Sequence, residues 1–275
     1  MSGADDAAIS KSAKKKAERL EKIRQKRKEN RKLKKSLAKE RKKNLSIKSE
    51  LTETPESESK RVSKKTLKLE AIARLQRALI NNDKDHLRVC IDLQFEDFMI
   101  EKELVHLARQ LSRIYGANRN VSKPSHLIFA GLTKTSKTFE ICCQKSDGFE
   151  NYILKRDEEK VHELFDKDSI VYLTPDSDNV LEEIQLEKTY IIGGLVDDSV
   201  KKKTTFTYAT KHGFQTAKLP IEKFCQKAEN GSYKQILTLN QVFDIVMNKF
   251  TNGDWNESFT QNLPQRTGFV SNENS

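Results

Sequence analysis

The stretch that most constrains the fold of this chain is residues 190–198, with the sequence YIIGGLVDD. Apolar residues surround the glycine pair Gly193 and Gly194, and a carboxylate, Asp197, follows closely. This pattern predicts a buried strand that runs into a tight turn. Because glycine has no Cβ, a ligand can approach its backbone closely, and ligands in open α/β sheets lie beyond the carboxyl ends of the strands. A structural turn with a helix-capping aspartate is the alternative interpretation.

Segments typical of strands alternate with amphipathic helices between residues 86 and 260. This alternation predicts an α/β domain with a mainly parallel sheet that is covered by helices on both faces. The predicted strands are 88–93, 126–131, 169–173, a strand ending at Gly193, 214–219 and 235–239. The predicted helices are 63–82, 101–115, 157–165, 180–184, 204–213 and a final long helix that carries apolar residues from Leu239 to Phe250, beside which Trp255 and Phe259 dock.

A strongly basic segment precedes this domain. Residues 11–48 contain 19 Lys or Arg and 4 Glu, which gives +15 against a net charge of +11 for the whole chain. The residues are good helix formers, but they form no continuous apolar stripe that could be buried. Such a segment attracts polyanions, and we therefore predict an arm that contacts RNA. A solvated charged helix, a disordered tail and a nuclear-localisation patch are the alternatives.

Several classes of site are excluded by missing motifs. The sequence has no P-loop, no GxGxxG after a strand, no GxSxG and no HExxH. Its four cysteines form no CxxC pair, so we expect no structural metal and a reducing compartment. No apolar run approaches membrane-spanning length. The start, MSGADD, has no signal-peptide core and its acids argue against mitochondrial targeting. We expect the nucleus, the cytoplasm or both.

Four ordered motifs in the second half carry a specific resemblance: VYLTPDSDNVL, YIIGGLVDDS, TAKLPI and ILTLNQVFDIV. Their order and spacing resemble the eukaryotic and archaeal tRNA methyltransferases that modify N1 of the purine at position nine, a family of the SPOUT class. VCIDLQFEDFM and RQLSRIYGANR resemble its N-terminal half, and VDDSVKKKTTF and DGFENYIL are similar to the animal B-type paralogue. The resemblance covers about residues 86–260.

This resemblance implies a division of the chain and a fold. A basic arm and linker occupy residues 1–62, a connecting helix 63–85, the SPOUT-type methyltransferase domain 86–260, and a tail 261–275. The fold implied is a mainly parallel sheet flanked by helices, with a C-terminal trefoil knot, which is exceptional among folds. The resemblance also implies that the chain is a monomer and that its reaction needs no metal.

The resemblance also implies the residues of the site. The expected contacts to the cofactor S-adenosylmethionine are Leu173, Gly194, Thr205, Leu219, Gln235, Ile236 and Leu237. The expected contacts to tRNA are Gln110, Arg113, Arg119, Lys201, Lys202 and Lys203. For the tRNA contacts, Gln110 included, a solvated surface is the alternative, and for Leu173 and Leu219 it is an ordinary place in the core.

Asp197 matches the general base proposed for this family. Guanine N1 carries a proton near neutral pH, and a carboxylate within hydrogen-bond reach can take it. Adenine N1 has no such proton, so a base would matter less there. Asp198 is the competing acid, and Ser199 stands where many relatives carry Asn. The alternatives are methylation of adenosine at the same position and a non-catalytic tRNA-binding protein.

Overall fold

The structure, a computed structural model, describes residues 55–80, 85–196, 203–227, 237–264 and 268–271. Residues 1–66 and 67–275 form two units, of which the second carries the sheet. Among the described residues, no helix is long and apolar enough to cross a membrane.

Six parallel strands form the central sheet, in the order β3-β2-β1-β5-β4-β6. Side chains alternate between its two faces, so that Cys90 lies beside Ile128 and Ile191 in the neighbouring strands. Both faces are buried, as a parallel sheet requires. The strands are β1 (Arg88–Asp92), β2 (His126–Ala130), β3 (Lys155–Arg156), β4 (Ile170–Leu173), β5 (Thr189–Gly193) and β6 (Gln215–Ala217).

Helices cover the two faces of this sheet. The larger core lies on the face covered by α2 (Glu101–Asn120), α3 (Lys137–Lys145), α6 (Ile221–Phe224), α7 (Leu239–Asn252), α8 (Trp255–Asn262) and, through Leu75, the part of α1 (Pro55–Ile80) that follows residue 66. The smaller core lies under α4 (Val161–Leu164) and α5 (Thr204–Lys211), where Val161 and Ala209 meet Cys90, Tyr172 and Ile191 of the strands. The predicted α/β class with a mainly parallel sheet is therefore confirmed.

Several predicted boundaries were wrong. Helix α1 begins at Pro55, inside the stretch assigned to the linker, because the first helical position tolerates a residue without an N–H. Residues 180–184 are not helical; Val180 instead bridges to Lys218 in parallel. A sixth strand was predicted at residues 235–239, but Leu239 is the first residue of helix α7. The sixth strand of the sheet is instead β3.

The predicted C-terminal tail also contains structure. Strand β7 (Cys225–Lys227) pairs antiparallel with β8 (Phe269–Ser271), and Phe269 is buried. Helix α8 carries Trp255 and Phe259, both buried with ring centroids 5.6 Å apart, as their predicted docking requires. Strand β8 therefore extends the folded domain beyond residue 261, where the tail was predicted to begin.

Candidate functional site

Three adjacent strands end at one edge of the sheet and bring the predicted motifs together. β4 ends at Leu173, β5 at Gly193 and β6 at Ala217, and β4 pairs with both of the others. The N–H of Thr174 donates to the carbonyl of Ala217 at 3.0 Å, which ties the loops after β4 and β6 to each other. This carboxyl edge is where α/β sheets bind their ligands.

Gly194 is held against β1. Its N–H donates to the carbonyl oxygen of Asp92 at 2.7 Å. A Cβ at this position would lie 2.6 Å from that same oxygen and 2.7 Å from Cδ2 of Leu93. The requirement for glycine at 194 thus comes from the close approach of two backbones.

Gly193 leaves room for two other side chains. A Cβ there would lie 2.6 Å from Cγ2 of Thr205 and 3.2 Å from the hydroxyl oxygen of Tyr172. Thr205 is on α5, so the predicted cofactor residue Thr205 packs directly against the glycine pair. The sequence predicted a close approach at the glycine pair, but it did not show that Gly194 contacts β1 while Gly193 contacts the side chains of Thr205 and Tyr172.

Asp92 is a buried carboxylate at the end of β1. One of its oxygens accepts from the hydroxyl of Tyr172 at 3.0 Å, and Nε2 of Gln94 donates to both oxygens at 3.0 and 2.8 Å. Loss of hydration on burial raises the pKa of Asp92 to about 6, and the hydrogen bonds from Gln94 and Tyr172 oppose that rise. A carboxylate with a perturbed pKa beside a glycine turn marks a candidate functional residue.

The loop after β1 reaches the segment that leads to Asp197. The N–H of Val196 donates to Sδ of Met99 at 3.3 Å. Glu96 anchors the other side of this loop, because its carboxylate accepts from the N–H groups of Lys137 and Thr138 at the start of α3. Burial by itself would raise the pKa of Glu96, but the hydrogen bonds from the Thr138 hydroxyl and from these two N–H groups lower it overall.

Only some of the remaining predicted cofactor residues belong to the part of the chain that the structure describes. Leu173 is 8% exposed, and Leu219 and Leu237 are half-buried beside the larger core. Gln235 and Ile236 lie outside the described residues. The same holds for Asp197, Lys201 and Lys202, so their predicted roles stay predictions.

The predicted tRNA residues occupy different environments. Gln110 is buried, and its side-chain oxygen accepts from the N–H of Leu239 at the start of α7, at 2.9 Å. Arg113 is exposed. Arg119 lies over the ring of Tyr115, 5.9 Å from its centroid. The structure thus shows a packing role for Gln110, while the contacts of all three with tRNA remain untested.

Lys203 directly follows the undescribed residues 197–202. It is exposed, it precedes α5, and its φ of 66° lies in the left-handed region, which non-glycine residues seldom adopt. Its carbonyl accepts from the N–H of Thr207 at 2.7 Å, which closes the first turn of the helix. A contact of Lys203 with tRNA stays a prediction.

A groove of about 850 Å³ lies at the opposite edge of the sheet. Arg88, His126, Lys155 and Thr189, which begin four of the strands, contribute to its lining. It lies at the amino ends of these strands, so we do not assign the cofactor to it. Within the described ranges, no cluster of three or more His, Cys, Asp or Glu has the arrangement of a metal site.

The family model for tRNA (guanine(9)-N(1))-methyltransferase TRM10/TRM10A matches residues 7–268. The chain belongs to this family. It is 44% identical over 185 residues to tRNA methyltransferase 10 homolog B of Bos taurus and 40% identical over 185 residues to that of Homo sapiens. These alignments cover 66% of this chain and 58% of each relative, so the chain spans less than two thirds of their length. The resemblance to the B-type paralogue is confirmed.

The fold is similar to the crystal structure of the full-length spTrm10–SAH complex. The TM-score is 0.58 at 30% identity, and the match covers 66% of this chain and 99% of that one. The SPOUT-type fold is therefore confirmed. The trefoil knot stays a prediction, because residues 197–202 and 228–236, which link the elements of the C-terminal half, lie outside the described part.

Sequence reasoning missed Asp92, Gln94 and Tyr172 as residues of this site. The signal for Asp92 was present in the sequence, since VCID, like IIGGLVD, is an apolar run that leads into a carboxylate. Tyr172 gave no comparable signal, because a tyrosine within a buried strand is an ordinary core residue. Only the pairing order β1-β5-β4 shows that the two side chains meet.

Proposed function

We propose that this chain transfers a methyl group from S-adenosylmethionine to N1 of guanosine at position nine of tRNA. The observation that carries the proposal is the family match over residues 7–268, because this span includes every strand end at the carboxyl edge. The similarity to spTrm10, whose structure was solved with SAH, supports the cofactor.

The residues at this edge fit such a cofactor. Leu173, Leu219 and Leu237 are apolar and lie at or after strand ends or before a helix, and apolar side chains line most small-molecule sites. Gly194 is bonded to the backbone of Asp92, and Thr205 packs against Gly193. When bound, S-adenosylmethionine supplies a methyl group on a sulfonium sulfur, and no metal is needed for that chemistry.

Asp197 is the proposed general base. It directly follows in sequence Val196, whose N–H donates to Sδ of Met99. Guanine N1 must lose its proton for a new N–C bond to form without a lasting positive charge, and a carboxylate within reach can accept that proton. Asp198 is the competing acid.

Basic residues on several elements are the proposed tRNA contacts. Helix α2 starts beside the Met99–Val196 contact, and Arg119 lies one helix length away, roughly 27 Å at 1.5 Å per residue. Arg119 therefore suits a backbone phosphate remote from the target nucleotide, whereas Lys203 follows the loop of Asp197. The arm of residues 11–48 would add phosphate contacts.

Methylation of defined tRNA transcripts tests the proposal. Transcripts that differ only at position nine, with G, A or U there, are incubated with labelled S-adenosylmethionine and the product is mapped by primer extension and mass spectrometry. Label confined to N1 of G9 is the expected result. Label on A9 would favour the adenosine alternative, and cofactor binding without transfer to any transcript would favour a non-catalytic tRNA-binding protein.

Two further properties belong to the proposal. We expect a monomer, which light scattering of the purified chain with and without tRNA tests. We also expect the protein in the nucleus, the cytoplasm or both, which imaging of a tagged full-length protein tests.

A further inference from the structure

We propose that Asp92 and Tyr172 are positioning residues for the cofactor turn, and that the hydrogen bond between them holds Gly193 and Gly194 in their binding geometry. This inference rests on the proposed function, because it assigns the support of the same site. Neither residue was expected to take part in the site from the sequence.

The bond between these residues crosses a strand. Tyr172 is on β4 and Asp92 on β1, and β5 runs between them. Asp92 pairs in register with Gly193, so the tyrosine hydroxyl passes the glycine to reach the carboxylate, 3.0 Å away. A side chain at 193 would stand in that path, 3.2 Å from the hydroxyl at its Cβ. The absence of a side chain at Gly193 thus makes the bond possible.

Asp92 holds the turn from two directions. Its carbonyl accepts from the N–H of Gly194, and its carboxylate accepts from Tyr172 beneath Gly193. Gln94 fixes the carboxylate in turn, through its side-chain amide and through its N–H at 3.4 Å. A buried carboxylate is costly, and in the described part of the chain no ion pair with a lysine or arginine offsets that cost.

Protonation of Asp92 would weaken this arrangement. A neutral carboxyl is a weaker acceptor than a carboxylate, so protonation would weaken the hydrogen bonds from Tyr172 and Gln94. The titratable groups that influence this carboxyl are Tyr172 on β4, Tyr208 on α5, Cys90 on β1 and His162 on α4. The pKa of Asp92 is about 6, so we expect the affinity for S-adenosylmethionine to fall as the pH drops through that range.

Calorimetry of S-adenosylmethionine binding between pH 5 and pH 8 tests the proposal with two variants of the full chain. Tyr172→Phe removes one hydrogen bond to a charged group and keeps the ring, so affinity at pH 8 should fall roughly 10-fold. The pH midpoint should also move upward, because Asp92 loses a donor that lowers its pKa. Asp92→Asn should bind weakly at every pH and lose the dependence near pH 6.

A matched control is available on the neighbouring strand. The hydroxyl oxygen of Tyr190 accepts from the N–H of Gln185 at 2.7 Å, at a site without contact to Asp92, so Tyr190→Phe removes a buried tyrosine hydrogen bond elsewhere. Its affinity and pH midpoint should match the wild type. Thermal unfolding of all variants identifies a temperature at which each is folded, and the binding experiments are carried out there.

Two outcomes would overturn the proposal: wild-type affinity and midpoint in Tyr172→Phe, or equal losses in Tyr172→Phe and Tyr190→Phe. The wild type alone also tests it, since an affinity independent of pH between 5 and 8 contradicts a role for Asp92 ionisation. A wild type that binds S-adenosylmethionine but methylates no tRNA would instead reject the proposed function and leave the positioning role standing.

Discussion

The N–H of Gly194 and the carbonyl oxygen of Asp92 lie 2.7 Å apart, and this contact joins the two central strands at the point where the candidate site begins. Because β1 and β5 approach so closely there, the glycine pair is required by the packing of the sheet as well as by any ligand. Substitutions at these positions should therefore change stability before they report on binding.

Gly194→Ala is the first prediction. Its Cβ would meet the backbone oxygen of Asp92 at 2.6 Å, and backbone in the middle of a sheet cannot move away easily. We expect the free energy of unfolding to fall by about 1–3 kcal/mol, with weaker cofactor binding as a consequence. Gly116→Ala is the control, since a Cβ there meets no atom within 4 Å and alanine favours a helix. Urea titration measures both.

The ionisation of Asp92 gives a second prediction, on stability. Its pKa in the folded state, about 6, is above its ordinary value of 3.8, so the folded chain binds more protons than the unfolded chain between these values. The free energy of unfolding therefore falls as pH rises from about 4 to 6, by roughly 3 kcal/mol for this group, and stays lower above that range.

Asp92→Asn should remove this loss, because asparagine resembles the protonated carboxyl. The variant should be more stable than the wild type at pH 8 while it binds S-adenosylmethionine less well. Asp244, whose pKa burial also raises to about 6, adds to the wild-type slope, and Asp244→Asn separates its share. An Asp92→Asn variant that loses as much stability as the wild type between pH 4 and pH 7 would contradict the assignment.

Gln110 and Arg113 on α2 give a third prediction, because the same helix presents one buried and one exposed polar side chain. Gln110→Ala leaves the N–H of Leu239 without its acceptor, and we expect a loss of about 1–3 kcal/mol in the free energy of unfolding. Arg113→Ala should change stability by no more than about 0.5 kcal/mol. It should instead weaken tRNA binding and reduce the salt slope by about one.

Chemical unfolding and filter binding at several salt concentrations separate the two roles. Unchanged stability in Gln110→Ala, together with weaker tRNA binding, would show that its predicted contact with tRNA outweighs its packing role.

Much of the fold could be predicted from the sequence because burial on both faces leaves long apolar runs, as in residues 190–196 and 126–130. The errors arose where local pattern was weak. The strand β3 has only two residues. Residues 180–184 are apolar enough for a helix, but Val180 bridges to Lys218 and the N–H of Leu181 donates to the carbonyl of Lys218.

Part of the candidate site could also be predicted from the sequence. Leu173 and Gly194 could be placed at one edge of the sheet because the carboxyl ends of parallel strands lie together. The bond from Tyr172 to Asp92 could not, because it depends on the order of strands 80 residues apart in the chain. Gln110 looked like a surface residue of an amphipathic helix, and only the docking of α7 buries it.

Deletion of the basic arm is the fourth prediction. Residues 11–48 carry +15, so their removal should release fewer counterions on binding, weaken tRNA affinity and flatten its dependence on salt. Affinity for S-adenosylmethionine should stay the same, since the predicted cofactor residues lie in the sheet domain. A salt slope that is unchanged by the deletion would show that the arm does not contact the tRNA.

The fifth prediction concerns Asp197 and separates a general base from a residue that only orients the substrate. Asp197→Asn keeps the shape of the side chain and removes the basic carboxylate. A positioned general base contributes about 10²–10⁴-fold, so single-turnover methylation of a G9 transcript should slow by that order while S-adenosylmethionine and tRNA bind nearly as before. The rate should also lose part of its rise with pH. Asp198→Asn is the matched control, and its methylation rate should stay close to that of the wild type.

If Asp197 only orients the guanine and water takes the proton, Asp197→Asn will slow methylation a few-fold at most and keep the full pH dependence. Single-turnover rates measured across pH for the three proteins decide between these mechanisms.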